Sequence, residues 1–224
     1  MSAFLEKELI ENNFDIEKID DNIILVNDFI SEEELSDILD IIKNTSEDDW
    51  KIEYLSNLKN FCMEKFGRDD VENLVAEGKF EITQNWEDKN FNILHTDIHG
   101  KIYKRLNNLV ETAQPELMLS GFATIQRMQE GVELKSHTDQ DTDPSIRYAT
   151  ILYLNEEYND GEIFFPKLNI ELKPKPKALL LFPGTKEYEH GVRHVGPGPI
   201  RYVLVGFIKV KNFYHNSTRK WRCR

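Results

Sequence analysis

The sequence predicts a mainly-β α+β domain: a sandwich or double-stranded β-helix (jelly roll), braced from outside by helices. From Leu117 onward the chain breaks into short runs rich in β-branched and aromatic residues, and Gly, Pro, Asn and Asp punctuate them. Before Leu117 the apolar residues mostly recur at helical spacing. A chain of 224 residues, 40% of them hydrophobic, is long enough to bury a sizeable core in one domain. The expected organisation is a single domain over residues 1–224. Helical support spans 1–116, the jelly-roll core 117–212 and a basic tail 213–224. No long internal repeat or low-complexity linker divides these parts.

The first element is "NIILVNDFISEEELSDILDIIK", a short strand followed by a helix. Ser31 and Glu34 fit a capping box at its start, and Leu35, Ile38, Leu39, Ile41 and Ile42 make one apolar face. Helical spacing returns in "WKIEYLSNLKNFCMEKFG" through Ile52, Leu55, Leu58 and Phe61. "HGKIYKRLNNLVETAQP" gives a third helix, which Pro115 closes. The strands that follow are "LMLSGFATIQRM", "RYATILYLN", "GEIFFP", "NIEL", "ALLLFP" and "RYVLVGFIKV". Packing of the earlier helices on these strands gives a layered α+β unit.

Charge narrows the partners. The formal net charge of -12 opposes condensation onto phosphate backbones, so no nucleic-acid partner is expected, and small molecules or peptides are. Residues 1–50 hold sixteen acids and three lysines, whereas Lys209, Lys211, Arg219, Lys220, Arg222 and Arg224 close the chain without an acid. Such runs read as a solvated acidic face and a loose basic tail. The start "MSAFLEKELIENNFD" lacks a secretory pattern, and no run of eighteen apolar residues occurs, so the expectation is a cytoplasmic protein with no membrane partner. Cys62 and Cys223 are too few and too far apart for a disulfide framework or a cysteine zinc site.

The tripeptide His-Thr-Asp occurs twice, at His95-Thr-Asp97 and at His137-Thr-Asp139. Two side chains at i and i+2 can aim at one ion from extended backbone but not from a helix. The first copy precedes a helical pattern, where Asp97 reads as an N-cap, so a structural role is expected of it. The second copy closes the strand-like "TIQRMQEGVELKSH" and precedes "YATILYLN", which puts it at the mouth of a barrel. An isolated His-x-Asp is weak evidence by itself and needs a third ligand. His190 in "KEYEHGVRHV" can supply it, since two imidazoles and one carboxylate form the facial set that holds non-haem Fe(II) with positions left open. His194 is a rival that spacing alone does not exclude.

In their order, "HTD", "ATILYLNEEYNDGEIFFP", "ALLLFPGTKEYEHGV" and "VGPGPIRYVLVGFI" resemble the 2-oxoglutarate and Fe(II)-dependent oxygenases, and more narrowly their prolyl 4-hydroxylase-like branch. "IILVNDFISEEEL" is also similar to the strand and helix that lead into that family's barrel. The resemblance spans about Leu117 to Val210, and its His-x-x-x-x-Val pattern selects His190, with Val195 in the valine position. It implies metal ligands His137, Asp139 and His190, which are also the catalytic set. Arg201 then pairs with the far carboxylate of 2-oxoglutarate, a task for a bidentate cation, and Tyr153 contacts the same carboxylate. The implied cofactor is Fe(II), with 2-oxoglutarate and O2 as co-substrates and ascorbate as a further cofactor.

The implied function is hydroxylation of a substrate C–H, first of peptidyl proline. A carboxylate at Asp139 stands where related halogenases bind halide. Another peptide residue or a small molecule is the alternative within enzymes, and a metal-free jelly-roll binding module is the alternative of another class. Two departures from relatives bear on the co-substrate contacts and the substrate: Met128 and Leu134 stand where tyrosines are found, nine and three positions before the His-x-Asp, and the segment between His190 and Arg201 is one residue longer than in many relatives. Trp86 in "NWEDKNFN" suits an exposed loop that could grip a proline-rich ligand.

Overall fold

The computed structural model describes residues 3–50, 92–95 and 100–211. Helix α1 spans Ala3–Glu11 and strands β1 and β2 span Asp15–Asp20 and Ile23–Asn27. Helix α2 follows at Glu32–Asn44, then β3 at Asn92–His95 and α3 at Gly100–Ala113. The long β4, Leu117–Met128, leads to β5, Leu134–His137, and to the single turn α4, Asp139–Thr142. The remaining strands are β6 Ile146–Tyr153, β7 Ile163–Phe165, β8 Ile170–Leu172, β9 Leu179–Pro183, β10 His190–Val192 and β11 Arg201–Val210.

These strands make two antiparallel sheets. The larger has seven strands in the order β1-β2-β9-β6-β11-β4-β3, and the smaller has four in the order β5-β10-β7-β8. Alternation along the strands sorts the core into two layers. Leu152, Leu204 and Leu181 join Leu106, Val110 and Ile38 of the helices on one face of the large sheet. Their strand neighbours Ile151, Tyr153, Val203, Leu180 and Phe182 join Ile163 and Phe165 of the small sheet on the other. Each such buried aliphatic or aromatic side chain contributes roughly 1.5–3 kcal/mol. A shift of one residue along β6 or β11 would exchange the two layers, so register is strongly fixed. The fold is thus the double-stranded β-helix with helices on one outer face.

The capping box at α2 is present: Ser31 Oγ accepts from the Glu34 amide at 3.1 Å, and Glu34 Oε2 accepts from the Ser31 amide at 2.9 Å. The same Glu34 pairs with Arg105 of α3 at 2.6 Å, and Arg105 also donates to the Phe29 carbonyl, so the cap ties two helices together. Leu35 and Ile38 are buried, with Leu39, Ile41 and Ile42 partly so.

The N-terminal part does more than brace the barrel, because β1, β2 and β3 are strands of the large sheet. The alternation of "DIEKID" is masked by charges, since β1 is an edge strand whose Asp15, Glu17 and Lys18 face solvent. His95 lies on β3 opposite Thr124, so this copy of His-Thr-Asp begins at a strand end. Asp97, the proposed helix Ile52–Phe61, Cys62, Trp86, Cys223 and the tail 213–224 lie outside the described residues. Among the described residues no helix is long and apolar enough to cross a membrane.

Candidate metal centre

Strand pairing builds the site. β10 runs antiparallel to β5, and His190 is the partner of His137 across that ladder. Their rings stand 4.5 Å apart. Asp139 lies two residues beyond the end of β5, and the intervening Thr138 is extended at φ -122°, ψ 126°, so the i and i+2 side chains point the same way. Asp139 itself opens α4, a turn held from both sides: the Gln140 amide donates to the Gly184 carbonyl at 3.1 Å, and the Asp143 amide to the Asp139 carbonyl at 3.0 Å. Gly184 also admits the carboxylate, because a Cβ there would sit 3.3 Å from Asp139 Cβ and 2.9 Å from Ile146 Cγ2.

One ligand atom from each of His137, Asp139 and His190 lies within 4.8 Å of the other two. His137 Nε2 is 3.7 Å from Asp139 Oδ1, and His190 Nε2 is 3.9 Å from Asp139 Oδ2. These gaps are too long for hydrogen bonds and leave room for an ion among the three groups. Each ring is oriented from behind: His137 Nδ1 meets the Lys135 carbonyl at 3.0 Å, and His190 Nδ1 meets the Tyr188 carbonyl at 3.1 Å. An Nδ1–H donated to a carbonyl leaves the Nε2 lone pair for a metal. Phe182 and Phe165 wall His190, with ring centroids 4.5 and 5.9 Å away.

Burial sets the protonation states. It pushes the Asp139 carboxyl up to about 6, against the pull of the His137 and Lys209 charges. It pulls the His190 imidazole down to about 4, against the Tyr188 carbonyl and the Glu189 charge. At neutral pH the carboxylate is ionised and the imidazole neutral, the states that metal ligation requires. Asp139 Oδ2 is buried without a hydrogen-bond partner, as expected of an atom whose partner is an ion. The residues fit a six-coordinate divalent metal of the N/O kind.

A separate small core patch gathers Met128, Val132, Val192 and Val195, with Leu134 against it. Arg201 opens β11 opposite Met128 and is 1% exposed. Its Nη1 reaches only the Met128 thioether at 3.5 Å, while Nε and Nη2 have no partner. The guanidinium carbon is 5.3 Å from the Tyr153 ring centroid and 5.8 Å from that of Tyr158. Both hydroxyls are buried and make no hydrogen bond of normal geometry. Burial pushes both phenols upward, and Arg201 restrains each through its charge and a loose side-chain hydrogen bond. A buried cation with no carboxylate paired to it among the described residues is costly, and donors so placed suit an anion.

The structure therefore gathers His137, Asp139 and His190 into one cluster and puts Tyr153 beside Arg201. His194 is exposed and outside the cluster. Met128 is packed on Arg201, and Leu134 sits half-buried on β5. Sequence reasoning missed Tyr158, whose only signal was an aromatic residue inside the acidic loop "NEEYNDGE". It also missed Lys209, which pairs with buried Asp143 at 3.1 Å and whose charge reaches Asp139 from seventy residues away.

The profile of the 2OG-Fe(II) oxygenase superfamily matches residues 123–209. A prolyl hydroxylase from Trichoplax adhaerens, in complex with a hypoxia inducible factor oxygen degradation domain peptide fragment, is similar with a TM-score of 0.58 at 15% identity. The alignment covers 97% of this chain and 93% of that one. The viral collagen prolyl hydroxylase of Paramecium Bursaria Chlorella virus-1, in its 2OG complex, gives 0.55 at 15% identity, covering 84% and 96% of the two chains. An oxidoreductase of the 2OG-Fe(II) oxygenase family from Burkholderia pseudomallei gives 0.54 at 11%, covering 93% and 90%. No curated protein matches the sequence. At these identities the structural likenesses speak for the fold.

Proposed function

We propose that this chain, which through residues 123–209 belongs to the 2OG-Fe(II) oxygenase superfamily and is a dioxygenase dependent on Fe(II) and 2-oxoglutarate, hydroxylates proline within a peptide. His137, Asp139 and His190 hold the iron in this reading, and Arg201 with Tyr153 holds the far carboxylate of 2-oxoglutarate. The observation that carries it is that two groups of polar side chains border one core layer, His190 against Phe165 and Phe182 and Arg201 against Tyr153. One is a three-ligand cluster with room for an ion, and the other is a buried guanidinium with no anion. A dicarboxylate that chelates the metal at one end and meets Arg201 at the other would complete both.

Iron bound there supplies the activation of O2 that couples decarboxylation of 2-oxoglutarate to succinate and CO2 with insertion of one oxygen atom into a substrate C–H. The chain's own part is orientation and exclusion of water. The Lys135 and Tyr188 carbonyls fix both imidazoles, Phe165 and Phe182 shield His190, and Arg201 sets the direction of the co-substrate. Ascorbate, which keeps iron ferrous, belongs to the same reading and would raise turnover. Support for a peptide substrate comes from the fold neighbours, two of which are prolyl hydroxylases, one of them bound to a peptide fragment.

The test is succinate release from 2-oxoglutarate by the iron-loaded protein with a panel of proline-containing peptides, matched alanine peptides and free amino acids. Stimulation by proline peptides alone, with a product 16 Da heavier on proline, supports the reading. Stimulation by alanine-matched peptides or by free amino acids would replace proline with another peptide residue or a small molecule.

A further inference from the structure

The anion receptor holds one group that neither the fold nor its packing accounts for. Tyr158 sits in the loop between β6 and β7, is 1% exposed, and leaves its hydroxyl without a hydrogen-bond partner. Its ring is fixed on several sides. A Cβ at Gly161 would meet ring carbons at 3.3 Å and Val195 Cγ2 at 3.2 Å, and Gly161 has φ +70°, so glycine is required there for both space and backbone. Lys173 Nζ lies 4.3 Å from the ring centroid and donates to the Tyr158 carbonyl. Phenylalanine would meet all of these packing contacts. The hydroxyl adds only a desolvation cost unless something accepts its proton.

The unpartnered groups beside it, on Arg201 and Tyr153, bring donors, and the charges of Glu162 and Glu156 act on Tyr158 without a hydrogen bond to its hydroxyl. Arg201 offers Nε and Nη2, and Tyr153 offers a second buried phenol, each without a partner. If the guanidinium turned its N–H groups onto the two phenol oxygens, the phenol protons would still lack an acceptor. The nearest sulfur, Met128 Sδ, already faces Arg201 Nη1 and is a weak acceptor. An acceptor from outside the chain, with two oxygens and a negative charge, satisfies every group at once.

We infer that Tyr158 is a co-substrate-binding residue, its hydroxyl donating to the far carboxylate of the 2-oxo dicarboxylate together with Arg201 and Tyr153. This rests on the reading of Arg201 as the anchor. The assignment makes the carboxylate end a three-sided donor pocket, with one side supplied by a loop instead of a barrel strand. Loop placement makes the affinity for 2-oxoglutarate depend on the 154–162 connection, which Gly161 fastens to the chain just after β10 by donating its amide N–H to the His194 carbonyl at 3.1 Å.

The experiment is calorimetric titration of Mn(II)-loaded wild type and Tyr158→Phe with 2-oxoglutarate and with oxalate, which chelates the metal but has no far carboxylate. Loss of one hydrogen bond to a charged acceptor is expected to weaken 2-oxoglutarate binding by on the order of tenfold to a hundredfold. Oxalate and Mn(II) affinities stay at the wild-type values. The ligand-free variant melts no lower than wild type, since it loses an unpartnered polar group. Equal 2-oxoglutarate affinity in the two proteins overturns the assignment, as does a parallel loss for oxalate or Mn(II). A wild type that binds Mn(II) and oxalate but not 2-oxoglutarate overturns the parent reading along with it.

Discussion

Burial of the Asp139 carboxylate costs the metal-free fold stability, and the size of that cost can be worked out. Burial raises its carboxyl from 3.8 to about 6. The folded chain therefore holds this proton more tightly than the unfolded chain, and stability falls as pH rises from about 4 through about 6, then levels off. The full difference, about 2.2 units at about 1.36 kcal/mol each, is about 3 kcal/mol above that window. Asparagine has the same shape and no titration. In metal-stripped protein, Asp139→Asn should gain on wild type by about 2 kcal/mol between pH 4.5 and pH 7.5, whatever constant offset the amide introduces. In a chain of this length that is roughly 4–8 °C in Tm.

Adding Mn(II) at about a hundredfold over its Kd should stabilise wild type by about 2.7 kcal/mol and the variant far less, which reverses the gain. Urea unfolding at the two pH values, with and without metal, measures all four terms. A stability difference independent of pH, or a wild-type advantage that grows with pH in the metal-free state, would refute the account of Asp139.

Three other outcomes follow from the same geometry. His190→Ala should abolish Mn(II) binding measured by calorimetry, while His194→Ala and His95→Ala retain it; loss with either of the latter would mean a different ligand set. Arg201→Ala should raise the 2-oxoglutarate concentration needed for half-saturation a hundredfold or more, on the scale of 3–5 kcal/mol for breaking a buried charged pair, with little change in metal affinity. An unchanged saturation curve would remove Arg201 as the anchor. Gly184→Ala should press on Asp139 and lower Mn(II) affinity by about tenfold, as changes behind a ligand commonly do, and wild-type affinity would show that the turn yields without moving the carboxylate.

The parts of this molecule that were legible in its sequence are those with a period or a fixed short spacing. β4 and β11 occupy "LMLSGFATIQRM" and "RYVLVGFIKV" because alternation and turn residues bound them on both sides. Ser31 and Glu34 announce α2 because a capping box is local chemistry. His137 and Asp139 were set apart from His95 and Asp97 on strand against helix context, a premise that the structure does not keep: both histidines end strands, β3 and β5, and Asp139 itself opens a helical turn. What distinguishes the second copy is His190 across the β5–β10 ladder, a pairing that local spacing does not display. Edge strand β1 was hidden because its charges serve solvent, and an edge needs no apolar alternation on its outer side.

The co-substrate end was harder to read for a different physical reason. A sequence displays which groups can donate, but not whether their acceptors lie inside the chain. Arg201, Tyr153 and Tyr158 each have an ordinary structural explanation alone: a strand cation, a core aromatic and a loop aromatic. Only when β11, β6 and the β6–β7 loop are brought together does the count of donors exceed the count of acceptors. An excess of buried donors around one guanidinium is a statement about a molecule that the chain does not contain. The metal cluster says the same of a cation, since an ionised Asp139 with a bare Oδ2 stands between two oriented imidazoles. The two groups need partners of opposite sign and border one core layer, so under the proposed function a single ligand with a metal-chelating end and a separate carboxylate would answer both.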